Sequence, residues 1–275
     1  MNVESRVANH YSNGQLWIAI LKALPAVGKD PARLMPRDLA PLDEFHVCGL
    51  EAAEALGRAL ELRPGLRLLD VGSGIGGPAR LFAAEHRCRV TGIDLTEEFV
   101  AVARRLTEMT KLAATVEFQH ASALAPPLPP ASFDRAVMIH VGMNVDDKPR
   151  LFRAVRRLLK PQALFAIFDL MRTGDGDLRY PVPWAASEDA SFVAIPAAYR
   201  AALEAAGFNV VRETDRRAEA IEFTKRMMAA RATQGSPALD LHLLMGERTP
   251  VMVQNMLAML EANQLAPIEL LAQVA

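Results

Sequence analysis

The chain predicts an α/β fold, a mostly parallel sheet with helices on both faces and helical additions at either end. Three observations predict it. From residue 66 to about residue 214, short β-rich runs alternate with amphipathic helical ones. A glycine turn joins the first strand of that stretch to its first helix, in "LRLLDVGSGIGGPARLFA" at 66–83. The 275 residues are 51% apolar and 23% charged, enough for a large buried core in an ordinary globular protein.

Before the core, Leu16, Trp17, Ile20, Leu21 and Leu24 share one helix face, with Ser12 and Asn13 as candidate caps, and a second helix runs from about Leu50 to Glu61. "LRLLDV" is the first strand. Pro78 suits the first turn of the helix to His86, where a missing N–H does no harm. "CRVTGIDL" is the second strand, and Thr96 with Glu97 and Glu98 supplies a cap and negative charge for the helix to Thr110. "VEFQHAS", "FDRAVMIHV", "ALFAIFDLM" and "FNVVRET" read as further strands, with helices over Lys148–Leu159 and Pro196–Ala206 stopped by Pro161 and Gly207. "APPLPPAS", 125–132, is too rich in proline for regular structure and predicts a surface connection. Beyond the core, helices over Glu219–Thr233 and Pro250–Ala262 flank "TQGSPALD", and the closing "PIELLAQVA" fits a last strand or a helix end equally.

Charge and cysteine content exclude several classes of function. Thirty-one basic and thirty-two acidic side chains leave a formal charge of −1, with no field to draw in a nucleic acid. The densest basic run, Arg150, Arg153, Arg156, Arg157 and Lys160, alternates with apolar residues at helical spacing and reads as a solvated helix face. Cys48 and Cys88 make no disulfide framework, and neither they nor His10, His86, His120 and His242 have metal-ligand spacing, so no metal is expected. No apolar run approaches the roughly 20 residues that cross a bilayer, and "MNVESRVANHYSNG" lacks a basic segment followed by an apolar one. A soluble cytoplasmic protein without membrane contact is the expectation.

Gly72, Gly74 and Gly77 match the spacing G-x-G-x-x-G of a nucleotide loop, and bare backbone at Gly72 and Gly74 lets a ligand approach closely. Asp70, two residues before the first glycine, opposes a pyrophosphate and favours a cationic ligand, such as the ammonium and sulfonium of S-adenosylmethionine. Asp94, 22 residues beyond Gly72 at the end of the second strand, suits ribose hydroxyls, with Leu95 as apolar surface for adenine; the alternative is a turn or capping aspartate.

"LDVGSGIGGPAR", "VTGIDLT" and "FDRAVMIHVGMNVDDKPRLFRAVRRLLKP" resemble, in order and spacing, the motifs of the class I S-adenosylmethionine-dependent methyltransferases. Within them the chain resembles the small-molecule branch holding ubiquinone/menaquinone, sterol, tocopherol and sarcosine/dimethylglycine enzymes. The resemblance covers roughly residues 60–215, and "LAPLDEFHVCG" is similar to a lid segment of part of that branch. It implies a Rossmann-like sheet of seven strands, the last antiparallel, with "PIELLAQVA" as candidate. It further implies Asp70, Gly72 and Gly74 around the methionine part of the cofactor, Asp94 at the ribose, and Leu95 with Ala123 about the adenine, with Ile139 as a further cofactor-binding residue. Where the family commonly has Gly-Asp-Ala after the third strand, this chain has Ala121, Ser122 and Ala123, so Ser122 offers adenine a neutral partner. The division that follows is an N-terminal helical lid over 1–62, a cofactor-binding core over 63–217 with an acceptor loop at 171–195, and a C-terminal helical addition over 218–275.

Methyl transfer is an in-line displacement governed by positioning, helped by a base where the acceptor must lose a proton. His140, after "AVMI" at the end of the fourth strand, is the candidate base, or else a shaper of the pocket. Asn144 orients an acceptor or caps a helix, and Asp169 holds a cationic acceptor or pairs with Arg172. Trp184, with Tyr180 and Phe192 in the same long loop, suits a flat ring or a methylated amine, or else packs the loop down; the resemblance implies that Tyr11, Phe45 and His46 belong to a lid over the site, where the residues alone read equally as packing. The expected function is transfer of a methyl group to a small molecule by a monomer or homodimer. The glycine spacing keeps an NAD(P)-dependent oxidoreductase as an alternative, though Asp70 opposes it and Tyr199 lacks a lysine four residues on; a non-catalytic cofactor-binding subunit is the other.

Overall fold

The computed structural model describes residues 3–11 and 14–275, so the caps expected at Ser12 and Asn13 lie outside the described residues. Four helices come first, α1 (Val3–Tyr11), α2 (Leu16–Ala26), the short α3 (Ala40–Asp43) and α4 (Gly49–Ala59). Then follow β1 (Arg67–Val71), α5 (Gly77–His86), β2 (Arg89–Asp94), α6 (Glu97–Met109), β3 (Val116–His120) and β4 (Phe133–Ile139). The core continues with α7 (Lys148–Leu158), β5 (Leu159–Arg172), α8 (Pro196–Ala205) and β6 (Phe208–Asp215). After it come α9 (Arg217–Gln234), α10 (His242–Met245), α11 (Thr249–Glu261) and β7 (Leu265–Val274).

Among the described residues the sheet has seven strands in the order β3-β2-β1-β4-β5-β7-β6, parallel except for β7. This is the predicted α/β architecture, and "PIELLAQVA" is part of its antiparallel strand. A nearly unbroken apolar run needs cover on both faces, and β7, an inner strand between β5 and β6, finds it by packing Leu265 and Leu271 into one layer and Ile268, Leu270 and Ala272 into the other.

Alternate strand residues serve opposite layers. Leu68, Val137 and Phe168 pack beside α4, α5 and α11, while Leu69, Met138 and Ile167 pack beside α7 and α8. A third cluster joins Leu16, Ile20 and Leu24 of α2 to Phe99, Val102 and Leu106 of α6. Leu21, expected on the same face, is exposed instead, because the buried stripe turns through Ala23.

Two further expectations change. Thr96 occupies the cap position of α6, but its side chain does not cap; its backbone N–H donates to Asp94 Oδ1 at 2.8 Å. The basic run of α7 and the start of β5 is more than a solvated face, since Arg157 donates to Pro126 O and Leu128 O at 2.8 and 2.9 Å and Lys160 pairs with Asp134 at 2.6 Å. Prolines supply carbonyls without N–H groups, so the 125–132 connection depends on such outside donors. Among the described residues no helix is long and apolar enough to cross a membrane, and no cluster of potential metal ligands occurs.

Candidate active site

The carboxyl ends of β1, β2 and β4 converge on a cleft of about 840 Å³, partly open to solvent. Gly72, Gly74, Asp94, Leu95, Ala123, Ile139 and His140 line it. A smaller space beneath the glycine turn contains Asp70, and a third cavity reaches from His140 toward α9 and α11. His140 and Phe45 border all three.

The glycine turn is bonded from within. The N–H groups of Gly72 and Ser73 donate to Ile93 O at 2.8 and 2.9 Å, that of Gly74 to Asp94 Oδ2 at 2.8 Å, and that of Gly76 to Ser73 O at 2.9 Å. Gly72 has φ +72°, and a Cβ there would lie 2.3 Å from Val141 Cγ2, so the turn needs glycine for both conformation and packing. Behind the turn Arg80, fully buried, pairs with Asp43 at 2.6 Å and donates to Ile75 O at 2.8 Å, which ties the N-terminal segment to α5.

Asp70 is only 2% exposed, and its Oδ2 has no hydrogen-bond partner among the described residues. Burial, with the charges of Asp94 and Glu44 adding to it, pushes its carboxyl up to about 8. Asp94 differs: burial raises it, while the N–H groups of Thr96 and Gly74 act against the rise.

His140 follows β4 with φ +54°, a left-handed conformation uncommon outside glycine, which histidine, asparagine and aspartate adopt more readily than other residues. Its backbone N–H donates to Phe168 O at 2.8 Å, and its ring lies 5.4 Å from that of Phe168 and 6.0 Å from that of His46, between centroids. Nε2 is buried without a partner among the described residues. Burial, and secondarily His46, hold the imidazole well below its ordinary pKa, so it is neutral at neutral pH.

Residues 69–167 match the family described as "Methyltransferase domain". The chain is 29% identical over 140 residues to a sterol 24-C-methyltransferase of Gibberella zeae, covering 47% of this chain and 37% of that one. It is 34% identical over 125 residues to phosphoethanolamine N-methyltransferase 1 of Arabidopsis thaliana, covering 46% and 25%. The chain therefore matches well under half the length of these curated relatives. In fold it is similar to geranyl diphosphate C-methyltransferase of Streptomyces coelicolor, solved with Mg2+, geranyl diphosphate and S-adenosyl-L-homocysteine, at TM-score 0.72 and 14% identity over 100% of this chain and 98% of that one.

Within and around residues 69–167, several residues stand differently from their sequence reading. Asp169 neither faces an acceptor nor pairs with Arg172. Fully buried, it accepts from Val141 N (2.8 Å), Gly142 N (2.9 Å) and Tyr199 Oη (3.0 Å), which leaves Arg172 to bond the carbonyls of Gly174 and Gly176. Asn144 is not the helix cap; Asp147 caps α7 by accepting from Arg150 N at 2.9 Å. The Asn144 amide instead accepts from Tyr11 Oη at 3.2 Å and donates to Trp184 O at 2.8 Å, so it shapes the cleft wall. The Ser122 hydroxyl donates to Glu4, so a carboxylate from α1 stands beside the neutral position after β3. Trp184 is buried against the third cavity, and His46 bonds Glu44 Oε2 through Nε2 at 2.8 Å.

Glu4, Glu44 and Tyr199 escape a reading of the sequence. Glu44 leaves a faint trace as a carboxylate two residues before His46, but nothing local marks Glu4 or Tyr199.

Proposed function

We propose that the chain is an S-adenosylmethionine-dependent methyltransferase that acts on a small-molecule acceptor. The observation that carries this reading is the buried Asp70 carboxylate below the glycine turn, its Oδ2 without a hydrogen-bond partner among the described residues. A buried carboxylate at the cleft is stabilised by a cation and destabilised by a phosphate. The turn also supports it, because the N–H groups at 72, 73, 74 and 76 are used internally and none of them remains to cradle a pyrophosphate. When bound, the sulfonium cofactor supplies an electrophilic methyl group.

Asp70 holds the ammonium in this reading, and bare backbone at Gly72 and Gly74 accommodates the methionine part. Asp94 accepts from the ribose with lone pairs beyond those given to Gly74 and Thr96, since each carboxylate oxygen takes more than one donor. Leu95, Ala123 and Ile139 flank adenine, with Glu4 and Ser122 as polar groups at its edge. Helix α1 and the Phe45–His46 segment act as the lid, bonded across the cleft through Tyr11 to Asn144 and through His10 to Pro183 O at 3.2 Å. The two unpaired, buried cysteines support a cytoplasmic place of work.

His140 takes the acceptor's proton through Nε2. His140→Gln is expected to lower turnover by roughly 10²-fold or more with cofactor affinity nearly unchanged, the usual contribution of a positioned base; full turnover returns His140 to a structural role. Asp94→Ala is expected to weaken cofactor binding by roughly 1.5–3 kcal/mol, the scale of hydrogen bonds to a charged group. Unchanged affinity in the folded variant removes the ribose assignment. The decisive test of the whole reading is calorimetric titration with S-adenosylhomocysteine and with NAD. Binding of the first alone supports it, and binding of NAD alone overturns it.

A further inference from the structure

The third cavity, about 600 Å³ and partly open to solvent, extends from His140 away from the glycine turn and is roofed by α9 and α11. Its walls are ring and thioether: Trp184 and Phe223, with Met143, Met227, Met245 and Met256. Such surfaces adapt to flat apolar molecules. Among the described residues no Lys, Arg, Asp or Glu lines it.

Its few polar groups are almost all committed. Thr224 Oγ1 donates to Ala220 O at 2.7 Å, Trp184 Nε1 to Ser191 Oγ at 3.0 Å, and Tyr11 Oη to Asn144 Oδ1 at 3.2 Å. Both ring nitrogens of His46 are engaged, with Glu44 Oε2 at 2.8 Å and Val47 O at 3.3 Å. His140 Nε2 is the buried lining atom left without a partner among the described residues. A charged acceptor would enter this space with no Lys, Arg, Asp or Glu on its walls and with His46 already paired to Glu44, which is unfavourable. A hydrocarbon with one hydroxyl group matches both the apolar walls and the bare nitrogen.

We propose that this cavity takes an uncharged, largely hydrocarbon acceptor, aromatic at its reacting end, that brings a single hydroxyl group to His140. The inference rests on the methyltransferase reading above. The hydroxyl proton passes to His140 Nε2 as the oxygen bonds to the methyl carbon of the sulfonium donor and the carbon–sulfur bond breaks, its electron pair staying on sulfur. The proton then leaves His140 for solvent. The acceptor differs in charge from phosphorylated or ammonium-bearing molecules, for which these walls offer no Lys, Arg, Asp or Glu side chain.

Equilibrium dialysis of the full chain, with and without S-adenosylhomocysteine, tests this with three probes built on one ring system: 1-naphthol, 1-naphthyl phosphate and 1-naphthylmethylamine. Retention of 1-naphthol is expected to exceed that of either charged probe by roughly tenfold or more. Met227→Arg, at a half-buried position on α9, is expected to lower 1-naphthol retention by roughly tenfold and to raise that of 1-naphthyl phosphate, a reversal that misfolding does not imitate. Equal or better retention of the phosphate or the ammonium probe by the unaltered chain overturns the proposal, the latter pointing to cation–π capture. So does absent 1-naphthol retention, or retention that Met227→Arg leaves unchanged. Loss of S-adenosylhomocysteine binding by the unaltered chain strikes the methyltransferase reading instead, and the probe comparison without it still decides the cavity.

Discussion

Binding of S-adenosylhomocysteine is expected to weaken by up to about tenfold per pH unit as pH falls below about 8, with a plateau above it. The cause is Asp70. In the ligand-free chain its carboxyl is pushed up to about 8, so at lower pH it carries a proton that an arriving ammonium must expel. Calorimetry at several pH values, in two buffers of different ionisation enthalpy, should register the released proton, while adenosine, which lacks the ammonium, should show a flat profile. Asp70→Asn should remove the pH dependence and weaken binding by about 3–5 kcal/mol, the loss when one partner of a buried ion pair is deleted. The same group acts oppositely on stability. Its folded pKa lies above the ordinary 3.8, so the stability it contributes is present below about 4 and is lost as pH rises through about 8. The ligand-free Asp70→Asn chain should therefore melt higher than the unaltered chain at pH 8. A pH-independent affinity for S-adenosylhomocysteine would sink the assignment of Asp70 to the ammonium.

Asp169→Ala should cost about 3–5 kcal/mol of folding stability, measured by thermal unfolding. The loss follows from three buried donors, the N–H groups of Val141 and Gly142 and the Tyr199 hydroxyl, each left without its acceptor at roughly 1–3 kcal/mol. At about 2–4 °C per kcal/mol for a chain of this size class, the melting temperature should fall by roughly 6 °C or more. Tyr199→Phe, which removes a single donor, should cost only about 1 kcal/mol. Gly142→Ala strikes the same place from the other side, because its Cβ would lie 2.3 Å from Tyr199 Oη and 2.4 Å from Asp169 Oδ2. The turn held here joins His140 to Asn144, so loosening it should also lower turnover. If Asp169→Ala lost less than about 1 kcal/mol, Asp169 would not be the anchor of that turn.

What was legible in the sequence was local. The apolar alternation of "LRLLDV" and "AVMI", the glycine turn, Pro78, and Asp70 and Asp94 beside that turn all act over a few residues of chain. Strand period, helix period and turn chemistry impose the α/β order and bring the carboxyl ends of β1, β2 and β4 to one edge, with Asp70, Asp94 and His140 along it. Even the last strand was half legible, since its apolar run was plain and its pairing was not. The roles of individual polar groups depended on partners far along the chain: Glu4 with Ser122 across 118 residues, Tyr11 with Asn144 across 133, and Asp169 with Tyr199 across 30. The same holds for the cavity wall, where Phe223 and Met256 approach His140 from helices that follow the core. A buried side chain's role is set by which donors, charges and apolar surfaces surround it, and only the packed chain assembles those surroundings.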